Sequence, residues 1–297
     1  MSVAGAHPRP PFQASARPRA RVFGRLGRIV IHVALVGLGI VWLIPSLGLF
    51  ITSWRPPADI AVSGWWTSLF RPEYTLGNYR QVLTAQGFGR SFVNSLLITV
   101  PSTVFPIMLA ALAGYAFAWL RFRGRDTLFL IVIALLIVPL EATWVPVLRM
   151  FNNPVGYFRL DWVPFLSGID LRLTGSFLGI WLAHTGYGLP FAIYLLRNFF
   201  ISLPRELFES AKIDGASNFA IFQFMWVWND LMNALIFLQD VTKRPLTVSI
   251  QALIGSYGAE WHLLAAGAFI TMSVPLLVFF ALQRYFVRGI TAGAIKG

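Results

Sequence analysis

No cysteine occurs among the 297 residues, so disulfide frameworks, thiolate metal sites and cysteine nucleophiles are all excluded. Charge is scarce as well: only 12% of residues are Asp, Glu, Lys or Arg, about half the share of a soluble domain. Acid is scarcest, with 12 Asp+Glu against 24 Lys+Arg and a net charge of +12. Too little polar surface remains to wrap a water-soluble core of this length, which excludes an ordinary soluble enzyme. No phosphate loop of the form G-x4-G-K-[ST] occurs, so the chain is not expected to bind ATP itself. The four histidines, His7, His32, His184 and His262, lack metal-ligand spacing, and no Ser-His-Asp arrangement is suggested. Neither catalysis nor a metal or cofactor is expected on this chain.

What is present is apolar: 57% of residues are hydrophobic and the mean hydropathy is +0.67. A basic chain can serve nucleic acid, but such proteins carry their charge on hydrophilic surfaces. Here the charge sits between long apolar runs, so no nucleic-acid partner is expected and an all-α, polytopic membrane protein is. About 20 apolar residues cross the hydrocarbon core, and six segments qualify: 29–52, 91–120, 127–151, 174–196, 219–238 and 263–287. The first exceeds a signal-peptide apolar region and lacks a small-residue cleavage site, so it reads as a retained span. Residues 1–28 form a basic tail, 29–287 the spanning domain and 288–297 a C-terminal tail.

Orientation follows from Lys and Arg in the connections. The N-terminal tail (Arg9 to Arg28), the second loop (Arg121, Arg123, Arg125), the fourth (Arg197, Arg205, Lys212) and the C-terminal end together hold 15, and the other three loops 9. Both termini are therefore expected in the cytoplasm. The outer loops carry Trp54, Trp65, Trp66 and Trp162, which suit either a belt at headgroup depth or stacking on a sugar face.

The loop 197–218 between spans four and five holds the most informative stretch, LPRELFESAKIDGAS. Pro204 suits a first helical turn, and Glu206 and Glu209 sit where a helix N-terminus favours negative charge. Leu207, Phe208 and Ala211 recur at helical spacing, and Gly215 is placed to end the helix in a left-handed conformation. Residue chemistry alone gives a short amphipathic helix outside the bilayer, which could equally be a plain connector.

Glu209-Ser210-Ala211, three residues and then Gly215 resembles the first half of the EAA signature, E-A-A-x3-G-x9-I-x-L-P, of ABC importer permeases. The surroundings are similar to the carbohydrate branch, the maltose-type inner-membrane permeases. NYRQVL with FVNSLLITV resembles that branch at the start of span two, FQFMWVWNDLMNALIFL at span five and RYFVRGITAGAIKG at the C-terminal tail. The resemblance covers about residues 29–297. It implies a six-helix permease bundle with a cytoplasmic coupling helix, multi-pass in the bacterial cytoplasmic (inner) membrane. It also implies a second homologous permease, a cytoplasmic ABC ATPase pair, an extracytoplasmic solute-binding protein and a carbohydrate substrate, a di- or oligosaccharide such as an α-glucoside. Glu206, Glu209, Ser210, Ala211, Asp214, Gly215, Ala216 and Ser217 would then face the ATPase. Thr291, Gly293 and Lys296 in the tail would reach it too, or form only a frayed end.

The second half of the signature is missing. Nine residues after Gly215 the chain reads Met225-Trp226-Val227-Trp228, already part of the fifth-span motif. About twenty residues, one span's worth, are absent, with the join near Phe222–Gln223. Asn229 and Asp230 lie within that span, where polar groups line a pathway or pair inside the bundle. Glu141, between Pro139 and Pro146, is a further pathway candidate. His184 and Tyr187, with Gly186, Gly188 and Pro190, mark a broken or closely packed helix. The alternatives are a permease for polyols or glycerol phosphate, a subunit made non-transporting by the deletion, and a secondary transporter, which would show paired acids across repeats that this chain lacks.

Overall fold

The computed structural model describes residues 18–160, 162–163, 171–202, 214–257 and 260–294. Among them the chain forms α-helices and short 3₁₀ turns and no strand. In order these are α1 (Pro18–Trp54), α2 (Pro57–Val62), α3 (Gly77–Thr84), α4 (Phe88–Trp119), α5 (Arg125–Leu135), α6 (Leu140–Asn152), α7 (Pro154–Tyr157), α8 (Phe177–Ser202), α9 (Asp214–Asn229), α10 (Met232–Phe237), α11 (Leu246–Tyr257) and α12 (Trp261–Ala294).

The chain divides into two units at Leu49/Phe50. The first is the body of α1, whose residues 28–47 are exposed on every face. An apolar helix with bare side chains is what lipid as solvent selects. Three helical stretches are each long and apolar enough to cross a bilayer: Gly27–Trp54, Phe88–Trp119 and Trp261–Gln283. The pair α5 and α6 qualifies together as a broken span or a re-entrant loop.

The second unit is organised around α4 against α8. At their crossing Ala110, Ala192, Ile193 and Leu196 are buried with Phe219 of α9. A Cβ added to Gly114 would lie 3.0 Å from the Arg197 amide nitrogen, so the small residue lets the two backbones approach. A second cluster joins Ile98, Phe151, Ile180, Val227 and Phe237, and a third joins Val82, Phe88, Trp228, Leu246 and Leu263.

Three prolines shape these helices by what they fail to donate. A proline at position i leaves the carbonyl at i−4 without its helical partner, and hydrocarbon offers no water in its place. Pro275 frees the Thr271 carbonyl, and the Trp228 indole donates to it at 3.0 Å. Pro101 frees Leu97, whose carbonyl accepts from the Trp181 indole at 2.9 Å. Pro106 frees Ser102, whose carbonyl accepts a long 3.5 Å bond from the Gln223 amide. Each freed acceptor thus ties one helix to another.

Several expected spans differ in detail. Segment 127–151 is not one helix: α5 and α6 are bent by 102°, because Pro139 cannot continue the hydrogen-bond ladder and N-caps α6 instead. Segment 219–238 is interrupted after Asn229, where Asp230 and Leu231 leave the helix. Gly215 does not terminate a helix but lies in the first turn of α9, since no glycine or proline follows to make a turn before the apolar run. The fourth segment forms α8 from Phe177, unbroken through Pro190.

Trp228→Phe should lower stability by about 1 kcal/mol, the scale of an interhelical hydrogen bond in a membrane. The loss should shrink in a Pro275→Ala background, where the Thr271 carbonyl regains an N–H from its own helix. Unfolding midpoints in detergent for the four combinations check this, and equal losses in both backgrounds would refute the proline account.

Candidate translocation site and coupling segment

Where α9 breaks, the backbone and side chains of Asp230 face in several directions at once. Its amide donates to the Val227 carbonyl at 3.2 Å, and its own carbonyl accepts from the Thr247 hydroxyl at 2.9 Å. One carboxylate oxygen accepts from the Asn233 amide at 3.4 Å, at the start of α10. The other lies 3.4 Å from Nε2 of His184 on α8, with no hydrogen bond of good geometry. Both side chains are nearly closed off, 7% exposed for His184 and 12% for Asp230. Hydrogen bonds at the break replace the helical pairing that the chain gives up there.

Further polar groups lie along the same helices. Tyr187, one turn beyond His184, accepts at its hydroxyl from Thr143 of α6 at 3.2 Å. Gln223 is wedged against Gly188, where an added Cβ would come within 2.8 Å of its amide nitrogen. The Gln223 and Asn233 side-chain oxygens and the Ser102 hydroxyl are buried without a partner. Such groups are costly in an apolar interior unless water or a polar ligand reaches them. Beyond α10, Lys243 donates to the Gly175 carbonyl at 2.7 Å, and the amide and hydroxyl of Thr242 hold the Asp240 carboxyl below its ordinary range.

Of the expected pathway residues, Asp230 is therefore inside the bundle. Nε2 of His184 comes within 3.4 Å of its second oxygen without a hydrogen bond, which leaves the packing role of His184 in place. Asn229 is exposed and its amide donates only to Met225 at 2.8 Å, within its own helix. Glu141 is exposed in the first turn of α6, and no hydrogen bond or ion pair joins it to Asn229 or Asp230. Not foreseen was the buried polar stripe of α4: Ser91, Asn94, Ser95, Thr99, Ser102 and Thr103. Its spacing of three and four was visible in the sequence and marks one helix face. Asn94 of this stripe donates to the Thr242 and Arg244 carbonyls, and Ser95 accepts from the Leu246 amide, fixing the start of α11.

Of the proposed ATPase-facing residues, Glu206, Glu209, Ser210 and Ala211 lie outside the described residues, as does Lys296. Asp214, Gly215, Ala216 and Ser217 belong to the first turn of α9, and Thr291 and Gly293 to the end of α12.

No family model matches the chain. It is 48% identical over 292 aligned residues to the osmoprotective compounds uptake permease protein GgtD of Synechocystis, covering 91% of this chain and 92% of the relative. This decides the family. The chain belongs to the sugar ABC importer permeases. It is also 48% identical over 250 residues to the alpha-glucoside transport system permease protein AglG of Rhizobium meliloti, covering 78% of this chain and 63% of that one. A solved bacterial ABC transporter for import of the polysaccharide alginate shares the fold, with a TM-score of 0.65 at 20% identity over 93% of this chain and 100% of that one.

This permease is shorter than its relatives inside the matched region. The match to GgtD runs over 292 positions, whereas 91% of 297 residues is about 270. The match to a probable permease of Pyrococcus horikoshii, 35% identical, runs over 279 positions against 87%, about 258. About twenty positions of each relative therefore face gaps here, the length of one span and of the segment missing from the EAA signature.

Asp230→Ala should cost about 1–3 kcal/mol, since it strips the Asn233 amide of its acceptor at the helix break. Asn229→Ala, exposed and bonded locally, should cost under about 1 kcal/mol. Thermal unfolding of the two purified variants compares them, and similar losses would mean that Asp230 does not organise the break.

Proposed function

We propose that this chain is one of two paired permeases of a binding-protein-dependent importer, with both termini cytoplasmic in the bacterial cytoplasmic membrane. It passes a di- or oligosaccharide, of the α-glucoside kind, by alternating access through a six-span bundle, while ATP is hydrolysed on a partner pair. The observation that carries this is the 48% identity to GgtD across 92% of that protein's length. The α-glucoside reading is supported by the equal identity to AglG and by 28% identity to a melibiose/raffinose/stachyose import permease of Bacillus subtilis. Asp230 would line the path with its carboxylate at the break, and Asn229 and Glu141, both exposed and without a bond to it, are further candidates to meet sugar hydroxyls. Glu206, Glu209, Ser210, Ala211 and Asp214 to Ser217 would form the surface for the ATPase, joined by Thr291, Gly293 and Lys296 of the tail.

A second reading is favoured by the shortfall of about twenty positions. With the join at Phe222–Gln223, the first turn of α9 consists of the Asp214–Ser217 residues that would otherwise serve the coupling helix. The chain would then assemble with its partners but transmit ATP-driven closure poorly.

Coexpression with the neighbouring permease and ATPase, with the binding protein added, separates the two. Solute-stimulated ATP hydrolysis with maltose or sucrose, and none with sorbitol or glycerol 3-phosphate, is the expected result. Stimulation by glycerol 3-phosphate alone would overturn the carbohydrate reading. No stimulation from this chain, but recovery when an I-x-L-P segment is restored between Phe222 and Gln223, would establish the coupling defect.

A further inference from the structure

The loop between α1 and α4, which the Lys/Arg bias puts outside the membrane, holds a cavity of about 460 Å³. It lies far along the chain from the break at Asp230, and the transport reading makes no use of it. Its wall includes Arg55, Asp59, Trp66, Phe70, Arg71 and Glu73. Arg55 is 2% exposed, and its guanidinium is fixed by the Asp59 and Ser63 carbonyls at 2.9 and 3.1 Å and by the Ser63 hydroxyl. Its Nε is left without a partner. Asn78 in turn holds the Arg55 and Ser53 carbonyls at 2.8 and 2.9 Å. The floor of the cavity is thus rigid.

The aromatic wall is fixed too. The Trp66 ring folds back onto Gly64, where any side chain's Cβ would collide with it, and Trp65 meets its edge at 6.1 Å. Even so, Trp66 remains 58% exposed and Phe70 85% exposed. The carboxylates of Asp59 and Glu73 and the guanidinium of Arg71 form no ion pair or side-chain hydrogen bond among the described residues. Two cations and two carboxylates make the lining neutral overall, so it favours a neutral ligand over an ion of either sign. A flat apolar ring beside unpaired planar hydrogen-bonding groups matches the two sides of a pyranose, its C–H face and its rim of hydroxyls. The volume falls within the range of small-molecule sites.

We infer that this outer-loop cavity is a second carbohydrate site, separate from the translocation path, in which Trp66 stacks on a sugar ring while Asp59, Arg71 and Glu73 hold its hydroxyls. The site concentrates neutral sugar at the outer mouth of the permease. Although it extends the sugar-importer reading, it is tested by binding alone.

The test uses the full-length chain in nanodiscs, titrated with maltose, glycerol 3-phosphate and glycine betaine and followed by saturation-transfer NMR on each ligand. Maltose should bind, and its affinity should fall at least about tenfold in Trp66→Ala and in the Asp59→Asn/Glu73→Gln pair. Trp66→Phe should keep part of it, and Trp162→Ala all of it. Maltose affinity unchanged in both Trp66→Ala and the carboxylate pair overturns the site. So does a maltose signal lost in Asp230→Asn but kept in Trp66→Ala, or tighter binding of glycine betaine or glycerol 3-phosphate. If Trp66→Ala alters only how the chain partitions into lipid, Trp66 is a belt anchor and the proposal fails. Maltose-stimulated ATP hydrolysis in the assembled importer, without binding at this cavity, defeats the inference while leaving the transport reading intact.

Discussion

Three helix contacts of the second unit depend on one constraint, that a carbonyl freed inside an apolar bundle is costly without a donor. Prolines 101, 106 and 275 each create such a carbonyl within a helix long and apolar enough to span the membrane. The donors come from α8 and α9: Trp181 near the start of α8, Gln223 in the middle of α9 and Trp228 at its end. A tryptophan suits the task because its ring fills apolar space while its single N–H must be satisfied somewhere. α4 is thereby tied to α8 and α9, and α9 to α12, at points fixed by the proline positions. Apolar packing of these helices against one another would tolerate sliding in a lipid solvent, whereas directional bonds set a register.

The same constraint accounts for the break in the fifth segment. Asp230 brings a carboxylate, 12% exposed, to the end of α9, while Asn229 beside it is exposed and bonds within its own helix. Asp230 leaves the helix, giving its carbonyl to Thr247 and one carboxylate oxygen to the Asn233 amide. The second carboxylate oxygen, the Asn233 oxygen and the nearby Gln223 oxygen remain under-satisfied. Polar capacity concentrated in this way at a helix break is what a polyhydroxylated solute can use.

Much of the helical skeleton was legible because apolar runs of spanning length leave few other options. Family membership was legible too, from Glu209-Ser210-Ala211, Gly215 and the supporting stretches. The interruptions were harder to read. Pro139 and Pro146 were both visible, yet only the first ends a helix, because α6 continues through Pro146 once its first turn is formed. The approach of His184 to Asp230 brings together residues 46 positions apart, and no local periodicity reports such a contact. The α4 stripe had a periodicity that could be read, but its polar residues are small enough to pass for ordinary span composition.

Geometry also bears on the short fifth segment. α9 has 16 residues, about 24 Å at 1.5 Å each, less than the roughly 30 Å of a hydrocarbon core. It reaches even that length only by starting at Asp214. The four residues Asp214–Ser217 are therefore spent on the helix that runs into the bundle. In a chain with twenty more residues, the span could form from that added segment and leave those four free in a separate cytoplasmic turn. Gln223 lies against Gly188 on one side and bonds at 3.5 Å to the Ser102 carbonyl on the other. The bundle thus packs closely around Gln223, within a segment whose helix is shorter than the hydrocarbon core.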